Sequence, residues 1–188
     1  LELSIHQEKA LSKGNVLRLD FGNHLVGKVT LKFGYTGSHP DAPAWIRLKF
    51  AERECELAEN AETYRGWISM GWIQQEQLHI DVLPSEISLP RRYAFRYLQI
   101  EVLDVSSKYQ LKLEDAFCLA TTSADNSRLK SFVGTPRQMR LDQIACHTLR
   151  ECMQDVFEDG PKRDRRLWMG DLRMQALANY ETFQNYDL

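Results

Sequence analysis

The residues of this sequence best suited to chemistry form a charged segment near the C-terminal end. Residues 158–166 read Glu-Asp-Gly-Pro-Lys-Arg-Asp-Arg-Arg, so seven of nine side chains carry a charge. The segment continues into Leu-Trp-Met-Gly-Asp at 167–171, which adds a large aromatic ring and a further carboxylate. A run of charges is usually a solvated loop held by weak ion pairs. Here the carboxylates recur at Asp159, Asp164 and Asp171 among arginines, and this mixture favours an enzyme site.

Recurring carboxylates beside an aromatic ring are suited to cleavage of a glycosidic bond. In that reaction one carboxyl group protonates the departing oxygen, and a second activates water or attacks the sugar. A ring such as that of Trp168 offers a flat apolar surface to one face of the sugar. By spacing alone, the same residues also fit an ordinary buried salt bridge, so spacing names no substrate.

The cysteines and histidines show no pattern typical of a metal or redox site. The four cysteines have no CxxC spacing, and Cys146 and Cys152 on one predicted helix point about 240° apart at 100° per residue. The histidines show no HExxH or other paired spacing. We therefore expect no metal site and four buried thiols.

The elements that position the charged segment change type along the chain. Up to about residue 122, apolar residues repeat at every second position, as in half-buried strands. The alternating segments are 17–21, 29–33, 46–50, 78–82 and 98–102, with a last strand opening at 111–113. Turn signals at 34–37 and 83–85 join these segments. The pattern predicts an antiparallel β-sandwich.

Helical periodicity follows a polar connection. Residues 121–127 hold six Ser, Thr, Asp or Asn residues in seven, which indicates a connection. Apolar residues from Leu141 to Val156 then recur at i, i+3, i+4 and i+7, which predicts a helix of about four turns. A second helix, mostly buried, is expected from Gly170 or Asp171 to Leu188. The lack of a helix stop signal at that end favours a truncated chain.

Strands followed by helices favour separate domains over one shared parallel sheet. We expect a sandwich domain at 1–120, a linker at 121–135 and a helical region at 136–188. The 24 Lys and Arg residues nearly balance the 26 Asp and Glu residues, so no strong field would attract nucleic acid or a membrane surface. The longest stretch without Asp, Glu, Lys or Arg, residues 66–75, is half of the ~20 apolar residues that a membrane helix needs. The compartment stays open.

The motif Asp-Gly-Pro-Lys-Arg-Asp-Arg-Arg-Leu-Trp-Met-Gly-Asp at 159–171 is the most specific stretch of the sequence. Together with residues 148–157 and 176–183, it resembles the bacterial α-L-rhamnosidases of glycoside hydrolase family 78. The stretches 19–22, 26–27 and 91–97 resemble the β-sandwich that precedes the catalytic barrel in that family. The fold class implied is mainly β with C-terminal α: an antiparallel β-sandwich, then the first helices of a truncated (α/α)6 barrel.

The family resemblance implies an inverting hydrolase that removes terminal α-L-rhamnose without a cofactor. By position, Asp164 matches the general acid of the family. Asp159 and Asp171 match acidic residues that bind rhamnose hydroxyls, and Arg163 and Trp168 match residues that line the same pocket.

The arginines beside Asp164 bear on that assignment. A general acid must be protonated when substrate binds, and nearby cations lower the pKa of a carboxyl group. We therefore expect the side chains of Arg163 and Arg165 to point away from Asp164.

The resemblance also implies that part of the catalytic machinery lies beyond residue 188. The general base of the family is a glutamate much further along the barrel, and a barrel of roughly twelve helices of average length needs many more residues than two helices provide. We expect this chain alone to be inactive and to expose apolar barrel-facing side chains. The implied partners are a rhamnose-containing saccharide or glycoside and either the remainder of the barrel or a second copy of the chain; nucleic acid and membrane are not expected.

Two other interpretations remain open from the sequence. The chain is alternatively a non-catalytic carbohydrate-binding or structural sandwich with a docking helical tail, or part of another (α/α)6 glycosidase with a different sugar. Trp45, Trp67 and Trp72 would form a sugar platform in the first case, although packing within the sheet is the commoner use of such aromatics.

Overall fold

The computed structural model describes the backbone of residues 2–188 and the side chains of residue 5 and of residues 9–188. The side chain of His6 therefore lies outside the described part. The chain divides into two compact units, Leu1–Ala120 and Thr121–Leu188. Within residues 2–188, every helix is too short or too polar to cross a bilayer.

Within residues 2–120, six antiparallel strands form the first unit. They are β1 (Glu2–Leu11), β2 (Val16–Gly37), β3 (Ala44–Ala51), β4 (Gln74–Ile80), β5 (Ser85–Asp104) and β6 (Tyr109–Ala120). Their order in the sheet is β1-β6-β2-β5-β3-β4.

The length of β2 allows it to pair along different parts of its course. It pairs with β5 from Val16 to Phe33 and with β6 from Gly27 to Gly37. Its register with β5 shifts between Asp20 and Leu25, and such irregularities bend a strand and carry it between layers. The predicted mainly β fold, an antiparallel sandwich followed by helices, is confirmed.

Alternating side chains of the strands supply the core of the sandwich. In β2 and β3, the inward positions include Leu31, Phe33 and Leu48, all fully buried. The rings of Phe50 and Tyr93 stack with centroids 4.0 Å apart. The repeat of apolar residues at every second position predicted this burial of one face of each strand.

Two predicted features of the sandwich are wrong. The stretch 34–37 is not a turn, because pairing with β6 continues to Gly37, whose φ of 98° suits glycine. The strand expected at 78–82 is β4, which ends at Ile80 and leaves Val82 71% exposed. In both cases the sheet partner, which the local pattern does not contain, decides where the strand ends.

The second unit contains two α-helices, α1 (Pro136–Cys152) and α2 (Met169–Glu181). A capping box starts α1: Gln138 N–H donates to the Thr135 hydroxyl, and Thr135 N–H donates to Gln138 Oε1. This helix begins before the predicted apolar stripe and ends before Val156. Its last turn is followed by a bridge between Met153 and Phe157.

The core of the second unit is small. It consists of Cys146, Leu149, Met153, Phe157 and Phe183. All residues of α2 are described, and Asn179 is the buried one among them. The expectation that the second helix is mostly buried is therefore wrong, because its apolar side chains have little of this unit to pack against.

The expected continuation of α2 to Leu188 is also wrong. The buried Asn179 side chain exchanges two hydrogen bonds with the backbone of Asn185, donating at 2.7 Å and accepting at 3.1 Å. Gln184 adopts a positive φ of 54°, and its N–H donates to Asn179 O. These contacts turn the chain after Glu181 and replace the glycine stop signal that the sequence lacks.

Candidate active-site loop

The residues singled out at 159–166 form a loop whose ends are joined by two hydrogen bonds. Asp159 N–H donates to Arg166 O at 2.9 Å. Arg166 N–H donates to Asp159 Oδ1 at 3.1 Å. A loop closed in this way holds its tip in a restricted position.

The tip of the loop has an unusual backbone conformation. Asp164 and Arg165 have φ angles of 65° and 54°, in the left-handed region that few residues other than glycine adopt. Arg165 N–H donates to Gly160 O and Arg163 O, and Arg165 Nε donates to Pro161 O at 2.9 Å. These hydrogen bonds within the loop offset the cost of the conformation.

Asp164 lies against one of its two neighbouring arginines. Arg163 donates to Asp164 Oδ2 from its terminal nitrogen at 3.1 Å and from Nε at 3.3 Å. The expectation that both arginines point away is wrong for Arg163, whereas the Arg165 side chain is directed to Pro161 O. Because the side chains of Arg163 and Asp164 are 44% and 42% exposed, this ion pair is weak and easily exchanged for another partner.

The other two predicted site residues lie at the start of α2. Trp168 is the N-cap residue of this helix and is 59% exposed. Asp171 lies in the first turn, where a carboxylate interacts favourably with the helix dipole. The exposed indole face of Trp168 offers an apolar surface of the kind that packs against a sugar ring.

Buried contacts link the loop to both helices. Glu158 N–H donates to Cys152 O at 2.8 Å, which ties the start of the loop to the end of α1. Gln175 Nε2 donates to Glu158 O at 2.7 Å, which ties the same point to α2. Glu158 belongs to the charged segment that a solvated loop would also explain, but it is only 5% exposed.

The Cys152 thiol lies among the acidic residues of this region. Burial, followed by the charges of Glu158, Glu151, Asp159 and Asp171, raises the pKa of Cys152 to about 11. The structure thus brings Asp159 and Asp171, twelve positions apart in sequence, into the surroundings of one thiol. The expectation of four buried thiols holds for Cys118 and Cys146 and is wrong for Cys55, which is exposed, and for Cys152, which is partly buried.

The tryptophans of the sandwich have separate surroundings. Trp45 stacks on His79 with centroids 5.4 Å apart, and Trp72 contacts Tyr64 edge-on at 5.6 Å. Trp67 is 97% exposed in the connection between β3 and β4, so the expectation of packing within the sheet is wrong for it.

Comparisons with known proteins agree with this architecture. The family model described as the glycosyl hydrolase family 78 alpha-rhamnosidase N-terminal domain matches residues 2–120. A rhamnosidase from Klebsiella oxytoca with rhamnose bound is 48% identical, with a TM-score of 0.91, and the match covers 96% of this chain and 35% of that chain. No curated protein matches the chain.

Two more distant structures share the fold. A family 78 rhamnosidase of Bacillus sp. GL1 is 22% identical, with a TM-score of 0.74, over 96% of this chain and 18% of that chain. An alpha-L-rhamnosidase from Dictyoglumus thermophilum is 18% identical, with a TM-score of 0.60, over 96% of this chain and 20% of that chain.

The matched family and structures define the class of protein to which this chain is related, the glycoside hydrolases. This chain belongs to glycosyl hydrolase family 78, the α-rhamnosidase family, whose N-terminal domain corresponds to residues 2–120. It spans 35% of the length of the Klebsiella rhamnosidase.

Proposed function

We propose that this chain supplies the general acid, but not the general base, of the active site of an inverting α-L-rhamnosidase. In this proposal residues 1–120 are the sandwich domain, 121–135 the linker and 136–188 the start of an (α/α)6 catalytic domain. The observation that carries the proposal is the closed loop 159–166 with Asp164 at its tip, followed along the chain by the exposed Trp168. The rhamnose bound to the Klebsiella enzyme supports rhamnose as the sugar.

Asp164 acts as the general acid in this proposal, protonating the oxygen of the departing group. Its carboxyl group is accessible to substrate, but Arg163 occupies Oδ2 in the free chain. A general acid must carry a proton when substrate binds, so Arg163 has to exchange Asp164 for another partner. A sugar hydroxyl fits that role, since the guanidinium group is a multiple donor.

The sugar is held by Asp159, Asp171 and Trp168. The two carboxylates accept hydrogen bonds from rhamnose hydroxyls, and the indole packs against the apolar face of the ring. The general base is a residue outside 1–188. Exposed apolar side chains of α2, such as Met174 and Leu177, pack against further helices of the catalytic domain.

A hybrid enzyme tests the proposal. In it this chain replaces the matching segment of the Klebsiella rhamnosidase, and turnover of rhamnosides is measured. Asp164→Asn should lower kcat for an alkyl rhamnoside by about 10²-fold or more, because the poor leaving group needs protonation. The loss should be much smaller for 4-nitrophenyl α-L-rhamnoside, whose leaving group departs unprotonated. Asp155→Asn, a change at an exposed aspartate outside the loop, is the matched control.

Two further outcomes bear on the proposal. If Asp164→Asn hydrolyses the alkyl rhamnoside at the parent rate, Asp164 is not the acid. The 188-residue chain alone should show no turnover of 4-nitrophenyl α-L-rhamnoside, and detectable turnover would contradict a base outside 1–188. Saccharide binding by a chain ending near residue 125 would instead favour the non-catalytic binding domain.

A further inference from the structure

We infer that Asp159 is a positioning residue that closes the loop carrying Asp164, in addition to any contact that it makes with the sugar. The inference rests on the proposed function, because it concerns the loop that presents the proposed acid. It assigns Asp159 a role in the free protein, before substrate binds.

The inference is based on the hydrogen bonds between the two ends of the loop. Asp159 contacts Arg166 through both its backbone and its side chain: its N–H donates to Arg166 O at 2.9 Å, and its Oδ1 accepts Arg166 N–H at 3.1 Å. Side-chain closure of a turn is a typical role of aspartate, whose short side chain reaches backbone N–H groups nearby in space. Here the bond spans seven residues and encloses Asp164.

The surroundings of Asp159 make its position firm. The preceding residue, Glu158, is buried and is tied to Cys152 O and to the Gln175 side chain. On the other side of the bond, the loop runs through the left-handed residues Asp164 and Arg165, a conformation that persists only when its surroundings hold it. Asp159 therefore links the anchored start of the loop to a tip whose conformation depends on hydrogen bonds to its surroundings.

Loop closure and sugar binding use different properties of the same carboxylate. Closure requires an acceptor at Oδ1, which an asparagine side chain also supplies. Sugar binding uses Oδ2 and benefits from the negative charge, because hydrogen bonds to a charged acceptor are stronger. Asp159→Asn should thus keep the side-chain hydrogen bond to Arg166 and weaken sugar binding, whereas Asp159→Ala should lose the side-chain hydrogen bond and the sugar contact.

Hydrogen exchange of the Arg166 amide in the 188-residue chain tests closure without any activity. Loss of one hydrogen bond should make this amide exchange about five- to tenfold faster in Asp159→Ala, and leave it nearly unchanged in Asp159→Asn. Asp155→Ala is the control for removal of an acidic side chain in the same unit. Unchanged exchange in Asp159→Ala, or equal acceleration by the control, would overturn the inference.

Kinetics of the hybrid enzyme test the consequence for the acid. Both Asp159 variants should raise KM. Asp159→Ala should also have a kcat about 10- to 100-fold lower than that of Asp159→Asn, because a small displacement of a catalytic group slows the reaction strongly. Equal kcat values for the two variants would show that the acid does not depend on closure, which overturns its positioning role. If the parent hybrid is inactive, the proposed function fails, and the exchange measurement still decides whether Asp159 closes the loop.

Discussion

At the scale of single residues, the acidic groups of the second unit differ more in surroundings than in type. Asp164 is exposed and paired with Arg163, Asp159 is bonded to the backbone of Arg166, and Glu158 is buried. A sequence shows all three as equivalent charges. Only Asp164 combines exposure with a position at the loop tip, as a proton donor to a substrate requires.

The Cys152 thiol provides a pH test of these surroundings. Because burial and nearby carboxylates raise its pKa to about 11, the thiolate that reacts with alkylating reagents is scarce at neutral pH. At pH 8, iodoacetamide should modify the exposed Cys55 first and Cys152 far more slowly, with the Cys152 rate still rising toward pH 11. Peptide mass analysis at several pH values measures both rates.

The same shift has a consequence for stability, and its sign follows from linkage. Since the folded pKa lies above the ordinary thiol value of 9.0, the folded state retains the proton to higher pH than the unfolded state. The contribution of Cys152 to the free energy of unfolding is therefore fully present below about pH 9 and is lost as the pH rises toward 11.

Equal alkylation of Cys55 and Cys152 at pH 8 would contradict the environment described for the thiol.

At the scale of elements, a buried lysine organises the connection that follows β3. Lys49 lies on that strand, and its Nζ donates to Leu57 O at 3.2 Å and to Glu59 O at 2.8 Å. Burial is the main cause that lowers the pKa of this amine. The two carbonyl groups belong to the short 3-10 helix Glu54–Ala58 and the residue after it, so one side chain fixes this turn against the sheet.

Replacement of Lys49 should destabilise the sandwich unit. Lys49→Met keeps most of the aliphatic stem but leaves two carbonyl groups without their donor, and we expect a loss of about 1–3 kcal/mol in the free energy of unfolding. Denaturant unfolding measures the change, and faster proteolysis between residues 54 and 59 should accompany it. Lys28→Met, at an exposed position of β2, is the control. Equal stability of the two variants would contradict a fixing role for Lys49.

At the scale of the whole molecule, the two units differ in how completely they bury their apolar residues. The sandwich has a large buried core from all six strands, whereas the second unit has a core of five apolar side chains. Several large apolar residues of α1 and α2 face solvent, among them Leu141, Met174 and Leu177. Met174 and Leu177 lie three positions apart on one face of α2, and an exposed apolar face is typical of a surface that packs against further protein.

Dye binding tests this property of the 188-residue chain. The chain should increase the fluorescence of a hydrophobic dye, and the pair Met174→Lys and Leu177→Lys should reduce the increase without lowering the melting temperature of the sandwich. Val82→Lys removes a side chain that is 71% exposed on the sandwich and serves as the control. No dye binding by the parent chain, or an equal reduction by Val82→Lys, would count against an apolar surface on the helices.

The sequence by itself predicted the mainly β fold, the change to helices and the family, because side-chain period and a contiguous motif are local properties. It did not predict that β2 continues through 34–37, because that extension depends on pairing with β6. The end of α2 was missed for a similar reason, since the Asn179–Asn185 contact becomes visible only when the chain has turned.

For the candidate site, the sequence alone determined which residue types are available at 159–171, and resemblance suggested their roles. Only the tertiary structure decided that Arg163 lies on Asp164, that Glu158 is buried and that Asp159 closes the loop. The physical reason is that burial and hydrogen bonding depend on the backbone path and on neighbours from other elements. A charged residue has neither a defined burial nor defined hydrogen-bond partners until the chain has folded.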